Sequence, residues 1–175
     1  MRGAPELVLF DRDATLIHDV PYNGDPTKVV PVDGAREVLD RLRTLGVRIG
    51  VVTNQGAIGS GLLTREQVES VNARVEELLG PFDVWRYCPH ARDAGCGCRK
   101  PAPGMVTSAC EELGVPLERT ALVGDMGLDV AAARAAGAHG ILVPTPSTRP
   151  EDVAAAGHVA ADLAAAVDDL LAGRW

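Results

Sequence analysis

Residues 7–16 have the sequence Leu-Val-Leu-Phe-Asp-Arg-Asp-Ala-Thr-Leu, an apolar run that stops at two acidic residues separated by one arginine. A short, continuous apolar run is typical of a strand that is buried on both faces of a parallel sheet. Open α/β sheets bind ligands just beyond the carboxyl ends of such strands. The stretch therefore predicts a strand that presents Asp11 and Asp13 to a cleft, although a solvated turn after an edge strand fits these residues equally well.

Two later apolar runs also end in polar residues. The strand predicted over 47–52 stops at Thr53-Asn54-Gln55-Gly56, and the strand predicted over 120–123 stops at Gly124-Asp125, with Asp129 shortly after. Segments with the helical spacing of apolar residues separate these strands, which predicts a doubly wound, mostly parallel α/β sheet. We expect residues 1–175 to form a single domain. Because parallel strands end at one edge of a sheet, the three polar clusters should converge there.

Capping residues set the expected ends of the helices. Asp33 is predicted to cap the first helix. Thr64 and Gln67 fit a capping box for the second helix, and Gly114 is predicted to end the third. A last strand over 140–143 and an amphipathic helix over 162–171 complete the expected elements.

The composition is that of an ordinary globular protein, since 46% of the residues are hydrophobic and 23% are charged. A formal net charge of -7 argues against nonspecific binding to nucleic acid or to an anionic membrane surface. The amino-terminal residues contain no apolar segment of signal-peptide length, and no stretch is long enough to span a membrane. We therefore expect a cytoplasmic protein with reduced thiols. We also expect a monomer without nucleic-acid or membrane partners.

The converging residues have the chemistry of a site for a metal ion and a phosphate. Asp11, Asp13 and Asp125 supply carboxylates, and Lys100 supplies a cation ahead of a proline-marked helix start. Magnesium binds a few carboxylates together with waters and substrate phosphate oxygens, so a small phosphorylated metabolite is the expected partner. Each residue also has a simpler explanation: Asp125 and Asp129 as helix caps, Lys100 as a surface cation, Thr53 and Asn54 as a turn. Four such coincidences at strand ends favour one shared site instead.

A cluster of cysteine and histidine lies between residues 88 and 98. Cys88-Pro89-His90 and Cys96-Gly97-Cys98 place three thiols and an imidazole in one loop, which suits tetrahedral zinc. A disulfide and free thiols are the alternatives; a reducing compartment disfavours the first and the nearby histidine disfavours the second. Cys110 falls on a predicted helix and is expected to be buried.

Four ordered motifs resemble those of the haloacid dehalogenase superfamily of phosphatases. They are Asp11-Arg12-Asp13-Ala14-Thr15, Thr53-Asn54-Gln55, Lys100-Pro101, and Gly124-Asp125 through Asp129. Each motif is weak alone, but together they span nearly the whole chain in the right order. The resemblance implies a Rossmann-like, nearly capless fold and a magnesium-dependent phosphatase that forms an aspartyl-phosphate intermediate.

The resemblance also implies a role for each matching residue. Asp11 would be the nucleophile, and Asp13 would protonate the leaving group and then activate water. Thr53 and Lys100 would bind the phosphoryl group. Asp11, Asp125 and the main-chain carbonyl of Asp13 would hold the magnesium ion, with Asp129 supporting the metal or Lys100.

The cysteine and histidine loop leads directly into Arg99-Lys100-Pro101, which narrows the resemblance to a zinc-containing group. This group includes the D-glycero-D-manno-heptose 1,7-bisphosphate 7-phosphatases and the histidinol-phosphate phosphatases, and the sequence after Lys100 looks more like the first. The group's zinc ligands correspond to Cys88, His90, Cys96 and Cys98. The residues that we expect to contact the substrate are Asp19, Tyr22, Asn54, Gln55, Gly56 and Arg99.

Two departures from the family pattern bear on the substrate more than on catalysis. Ala14 replaces the usual glycine, and Met126 stands where the heptose phosphatases have a lysine. The expected activity is removal of the 7-phosphate of the heptose bisphosphate, with histidinol phosphate as the alternative substrate. A regulator that only binds phosphate or zinc is the alternative from a different class. A DNA-end phosphatase is disfavoured because the acidic chain has no basic stripe.

Overall fold

A computed structural model describes residues 3–175, and its centre is a five-stranded sheet. The strands are β1 (Leu7–Phe10), β2 (Arg48–Asn54), β3 (Val84–Cys88), β4 (Thr120–Gly124) and β5 (His139–Leu142). Their order across the sheet is β3-β2-β1-β4-β5, and every neighbouring pair is parallel. The helices are α1 (Ala35–Thr44), α2 (Arg65–Leu79), α3 (Gly104–Leu113), α4 (Gly127–Ala136), α5 (Pro150–Ala155) and α6 (Leu163–Leu171). The predicted fold class is confirmed.

β1 lies in the middle of the sheet and separates two hydrophobic cores. Its side chains are fully buried and point alternately to the two faces, as successive side chains of a strand do. Val8 and Phe10 belong to the core that includes α1, α2 and α6, whereas Leu7 and Leu9 belong to the core that includes α3 and α4. With helices covering both faces, a ligand site is expected at the carboxyl edge of the sheet.

The register of the three central strands brings their carboxyl ends to one level. Phe10 pairs with Val51 of β2 on one side and with Val123 of β4 on the other. The Asp11 main-chain N–H extends the ladder by donating to the Val123 carbonyl at 2.9 Å. The residues that follow these strands therefore reach the same edge, as the sequence predicted.

The helix caps agree with the sequence prediction at most positions. Thr64 and Gln67 form the predicted capping box of α2, and Gly114 ends α3 in the left-handed conformation. The prediction that Asp33 caps α1 is wrong, because the N-cap residue of α1 is Gly34, which has a φ of 77°. A glycine adopts this backbone conformation without the steric penalty of a side chain. The helix α5 was not predicted and begins with a proline in its first turn.

The prediction of a single domain over 1–175 includes Met1 and Arg2, which lie outside the described residues. Within residues 3–175, none of the helices combines the length and the apolar character needed to cross a membrane.

Ala14 lies in the turn after the two acids and has a φ of 59°. A side chain in this left-handed region clashes with the backbone and costs roughly 1–2 kcal/mol per residue. The turn is fixed by hydrogen bonds, since the Ala14 N–H donates to Ile17 and the Leu16 N–H donates to Arg12. Glycine, which is usual at this position in the superfamily that the sequence resembles, would adopt the same turn without strain.

We expect Ala14→Gly to raise the free energy of unfolding by up to about 1 kcal/mol, because relief of strain outweighs the entropy that glycine adds to the unfolded chain. Urea denaturation measures this change. The matched control is Ala131→Gly on the exposed face of α4, which should lower stability by about 1 kcal/mol. Destabilisation by both substitutions would contradict the strain assigned to Ala14.

Candidate active site and metal centres

Three carboxylates meet at the carboxyl edge of the sheet. Asp11 follows β1, Asp125 follows β4, and Asp129 lies in the first turn of α4. Each of them offers an oxygen, and the three oxygens lie within 4.8 Å of one another. The main-chain carbonyl of Asp125 accepts a hydrogen bond from the Thr148 hydroxyl at 2.6 Å, which holds the end of β4 in place. Segments far apart in sequence thus form one acidic cluster.

Lys100 places a buried cation in this cluster. Its Nζ lies 3.0 Å from an Asp11 oxygen and 2.6 Å from an Asp129 oxygen, and it donates to the Val52 carbonyl at 2.8 Å. The side chain is 3% exposed, so these contacts replace water as partners of the ammonium group. Burial by itself would lower the pKa of Lys100, but the two carboxylates raise the pKa above its ordinary value. Lys100 therefore stays charged.

Burial makes two carboxyl groups of the acidic cluster harder to ionise than a free aspartate. Burial raises the pKa of Asp11 to about 7, although Lys100 opposes the shift. Burial and the nearby Asp129 raise the pKa of Asp125 to about 6. Three carboxylates against one ammonium leave excess negative charge once they ionise. Hard oxygen ligands with excess negative charge fit a divalent cation such as Mg²⁺.

Asp129 has two partners, so its expected role as a helix cap and its expected contact with Lys100 both occur. One oxygen pairs with Lys100, and the other accepts a hydrogen bond from the Met126 N–H at 3.1 Å. The glycine before Asp125 makes room for this arrangement, because a Cβ on Gly124 would lie 2.2 Å from the Asp129 carboxyl carbon. Any side chain at that position would displace Asp129 from Lys100.

Asp13 lies on the open side of the cluster and faces a cleft. Its side chain is 30% exposed, and it accepts a hydrogen bond from Gln55 Nε2 at 2.9 Å. The same amide nitrogen of Gln55 donates to the Thr53 hydroxyl at 2.9 Å. Gln55 thus joins two residues that the sequence had assigned separate roles in binding and proton transfer.

Asn54 is engaged with the backbone of Lys100. Its Nδ2 donates to the Lys100 carbonyl at 3.1 Å, and its Oδ1 accepts from the Lys100 N–H at 3.0 Å. This pair of hydrogen bonds connects the end of β2 to the segment that carries the buried cation. The geometry gives Asn54 a structural task in addition to the substrate contact that the sequence predicted.

The cleft beside Asp13 has a volume of about 510 Å³. It is lined by all six residues predicted to contact the substrate: Asp19, Tyr22, Asn54, Gln55, Gly56 and Arg99. Tyr22 is 69% exposed and has a φ of 52°, so the loop presents its ring to solvent in a strained conformation. A second cavity of about 710 Å³ lies on the other side of Arg99 and is lined by Lys100 and Met126.

The cysteine and histidine loop forms a compact donor cluster. The Cys88 sulfur lies 3.0 Å from that of Cys98 and 3.6 Å from that of Cys96, and the Cys96 and Cys98 sulfurs are 3.6 Å apart. His90 Nδ1 lies 3.5 Å from the Cys88 sulfur and 3.2 Å from the Cys98 sulfur. A tetrahedral zinc ion with Zn–S bonds of about 2.3 Å separates its sulfur ligands by about 3.8 Å. The four predicted ligands therefore fit a zinc ion, which would hold the loop that leads to Arg99.

Sequence reasoning missed three residues around the site. Arg12 and Arg92 both line the cleft, and Thr148 supports Asp125. The ion pair of Arg12 could have been predicted from its position between Asp11 and Asp13, because a cation next to a carboxylate commonly forms one. Neither Arg92 nor Thr148 belongs to a sequence pattern that marks a site, so no signal could have identified them.

Comparisons with known proteins identify relatives of this chain. A family model described as HAD-hydrolase-like matches residues 97–170. A D-glycero-beta-D-manno-heptose-1,7-bisphosphate 7-phosphatase from Pseudomonas putida is 35% identical over 80% of this chain and 83% of its own length. The enzyme of the same name from Pseudomonas aeruginosa is 36% identical over 79% of this chain and 81% of its own. The crystal structure of the D,D-heptose 1,7-bisphosphate phosphatase from B. bronchiseptica, complexed with magnesium and phosphate, superposes with a TM-score of 0.86 and 29% identity, covering 96% of this chain and 99% of that one.

We expect the purified protein to contain about one zinc ion per chain. Cys98→Ser should lose this ion, because a structural zinc site needs four protein ligands and the substitution leaves three. Elemental analysis measures the content. Zinc at about one hundred times its Kd should add about 2.7 kcal/mol to the free energy of unfolding. Cys110→Ser is the control, since Cys110 is buried outside the cluster and contacts Thr120. Equal zinc content in both variants would contradict the site.

Magnesium should stabilise the protein more at pH 8 than at pH 5. The raised pKa values of Asp11 and Asp125 mean that the folded, metal-free chain loses stability as pH rises through about 6 and 7. A bound cation offsets this loss only when the carboxylates are ionised. Thermal unfolding with and without MgCl₂ at both pH values measures the effect. Asp125→Asn should reduce the increment, whereas the exposed Asp168→Asn should leave it unchanged.

Proposed function

The chain belongs to the haloacid dehalogenase-like phosphatases, in the family of the D-glycero-D-manno-heptose-1,7-bisphosphate 7-phosphatases, and we propose that it removes the 7-phosphate of that heptose bisphosphate. It is a phosphoric monoester hydrolase, which argues against a regulator that only binds phosphate or zinc. We further propose that residues 1–175 form one catalytic domain with a zinc-binding loop at 88–98. The observation that carries the proposal is the contact of Asp11 with the buried Lys100 beside Asp125.

Asp11 is the proposed nucleophile. One of its oxygens attacks phosphorus, the bond from phosphorus to the ester oxygen breaks, and an aspartyl-phosphate forms. Lys100 and the Thr53 hydroxyl bind the phosphoryl oxygens and offset the repulsion between two anions. A magnesium ion held by Asp11, Asp125 and the Asp13 main-chain carbonyl would add to this neutralisation when bound.

Asp13 is the proposed acid and base. Its carboxyl group gives a proton to the departing alkoxide and then takes one from the water that hydrolyses the aspartyl-phosphate. The exposure of Asp13 to the cleft supports this role, because the leaving sugar must occupy that side. Asp129 supports Lys100 from beneath, which keeps the ammonium directed at Asp11.

The residues that line the cleft support the proposal of a substrate with a second anionic group. Arg99 and Arg92 both line it, and guanidinium groups bind phosphate with two parallel hydrogen bonds. Arg99 donates to the His90 carbonyl at 3.2 Å, so the loop that we propose to be held by zinc also orients this arginine. Gly56 packs against it, since a Cβ there would lie 2.7 Å from the Arg99 Nη1.

One observation favours histidinol phosphate as the second candidate substrate. Asp19 adds a carboxylate to the cleft near Asp13, and burial with the repulsion of Asp13 raises the pKa of Asp19. A carboxylate in this position gains most from a cationic leaving group, such as one that carries an amine. Binding of the heptose bisphosphate would therefore depend more on Arg92 and Arg99, and binding of histidinol phosphate would depend more on Asp19.

A panel of phosphate esters tests the proposed function. The wild type with MgCl₂ should release phosphate from the heptose 1,7-bisphosphate with a kcat/KM at least about tenfold above that for histidinol phosphate, a difference of about 1.4 kcal/mol in transition-state binding. Asp11→Asn should reduce turnover by at least about a thousandfold, because it removes the nucleophile. This variant also controls for contaminating phosphatases. A preference for histidinol phosphate would reverse the assignment of the substrate.

A further inference from the structure

Asp13 is held by a neighbour to which the proposed mechanism gives no role. Arg12 Nε and Nη2 donate to the two oxygens of Asp13, each at 3.1 Å. The remaining nitrogen, Nη1, donates to the side-chain oxygen of Asn72 at 2.7 Å. Arg12 is 2% exposed although it lies beside an open cleft. A buried guanidinium with all three nitrogens engaged has a fixed position.

Asn72 fixes the guanidinium from the side opposite Asp13. It is the polar member of the buried face of α2, which otherwise consists of Val68, Val71, Val75 and Leu79. A polar side chain in an apolar stripe is tolerated when it finds a hydrogen-bond partner, and Arg12 is that partner. Because Asn72 accepts from a nitrogen that does not contact Asp13, Arg12 has an anchor that is independent of Asp13.

We propose that Arg12, secured by Asn72, is a positioning residue that directs the Asp13 carboxyl group toward the leaving-group oxygen. The inference rests on the proposed function, which makes Asp13 the acid. A general acid must lie within about 2.6–3.2 Å of the oxygen that it protonates. Two parallel hydrogen bonds fix the plane of a carboxyl group, which a single ammonium charge does not do.

The leaving group of the ester determines how strongly the rate depends on the position of the Asp13 carboxyl group. As an Asp11 oxygen bonds to phosphorus, the bond from phosphorus to the ester oxygen breaks, and the proton of Asp13 passes to that oxygen. An alkoxide leaves poorly without this proton, whereas p-nitrophenolate is stable enough to leave without it. A misdirected Asp13 should therefore slow the formation of the aspartyl-phosphate from an alkyl phosphate much more than from p-nitrophenyl phosphate. A general loss of structure would slow both. The later hydrolysis of the aspartyl-phosphate, in which Asp13 is the proposed base, is the same step for both esters and does not enter kcat/KM.

The test compares kcat/KM for the heptose 1,7-bisphosphate and for p-nitrophenyl phosphate, because kcat/KM reports the steps up to release of the alcohol. Arg12→Lys keeps the charge but loses the paired hydrogen bonds. It should lower kcat/KM for the sugar phosphate by about 10- to 100-fold and that for the aryl ester by less than about threefold. Asn72→Leu should shift the ratio of the two kcat/KM values in the same direction by about three- to tenfold, because it removes the acceptor and keeps the volume.

Val75→Ala is the matched control, since it removes buried atoms one turn along α2. It should leave the ratio of the two kcat/KM values unchanged whatever it does to stability. If Arg12→Lys fails to fold, Asn72→Leu decides the question. Parallel losses on both esters, or an unchanged ratio in both variants, would overturn the inference while leaving the phosphatase intact. A wild type that hydrolyses neither ester would remove the proposed function and this inference with it.

Discussion

The buried ammonium of Lys100 is the constraint on which the site depends. An isolated buried charge costs several kcal/mol, and a carboxylate partner repays that cost only when the geometry is good. Lys100 Nζ lies 3.0 Å from Asp11 and 2.6 Å from Asp129, and it donates a further hydrogen bond to the Val52 carbonyl. Because Asp125 lies in the same cluster, one cation faces three acids. The excess negative charge of the three carboxylates is therefore balanced only by a proton or a metal ion. This excess charge adds to the effect of burial, which raises the pKa values of Asp11 and Asp125.

Lys100 reaches this position from a segment without regular secondary structure, so other contacts must fix it. Asn54 holds its backbone from β2 through two hydrogen bonds. On the other side, Cys98 precedes it by two residues and belongs to the four-donor cluster. A zinc ion in that cluster would fix the segment before Lys100, as Asn54 fixes the backbone of Lys100 itself. The loop therefore connects the two parts of the site, because residues that follow each other in sequence place Arg99 in the wall of the cleft and Lys100 in the acidic cluster.

The sequence predicted the features that depend on strand ends and short-range signals. Asp11 and Asp125 follow apolar runs that were recognisable as strands, and parallel register brings such ends together. Thr64 with Gln67 was recognisable as a cap for the same local reason. The prediction that Asp33 caps α1 was wrong because the neighbouring Gly34 adopts a positive φ and takes the N-cap position. Residue propensities alone do not decide which of two adjacent residues is the cap. The contact of Arg12 with Asn72 was beyond prediction, since it depends on how α2 is rotated against the sheet. Only tertiary packing sets that rotation.

The two sides of the proposed site differ in how deeply their polar residues are buried. On the phosphorus side, Lys100, Asp125 and Asp129 are buried, and few other residues would serve there. On the leaving-group side, Tyr22 and Arg92 are exposed, and the described contacts of the cleft leave them available to a ligand. Exposed side chains on loops tolerate substitution without loss of stability, so this side can change its substrate while the other keeps its reaction. Asp13 lies at the boundary: its carboxyl group faces the open cleft, but Arg12 fixes it from the buried side. The proposed proton donor would therefore keep its place for different alcohols, because Arg12 and Asn72 of α2 hold it independently of the substrate.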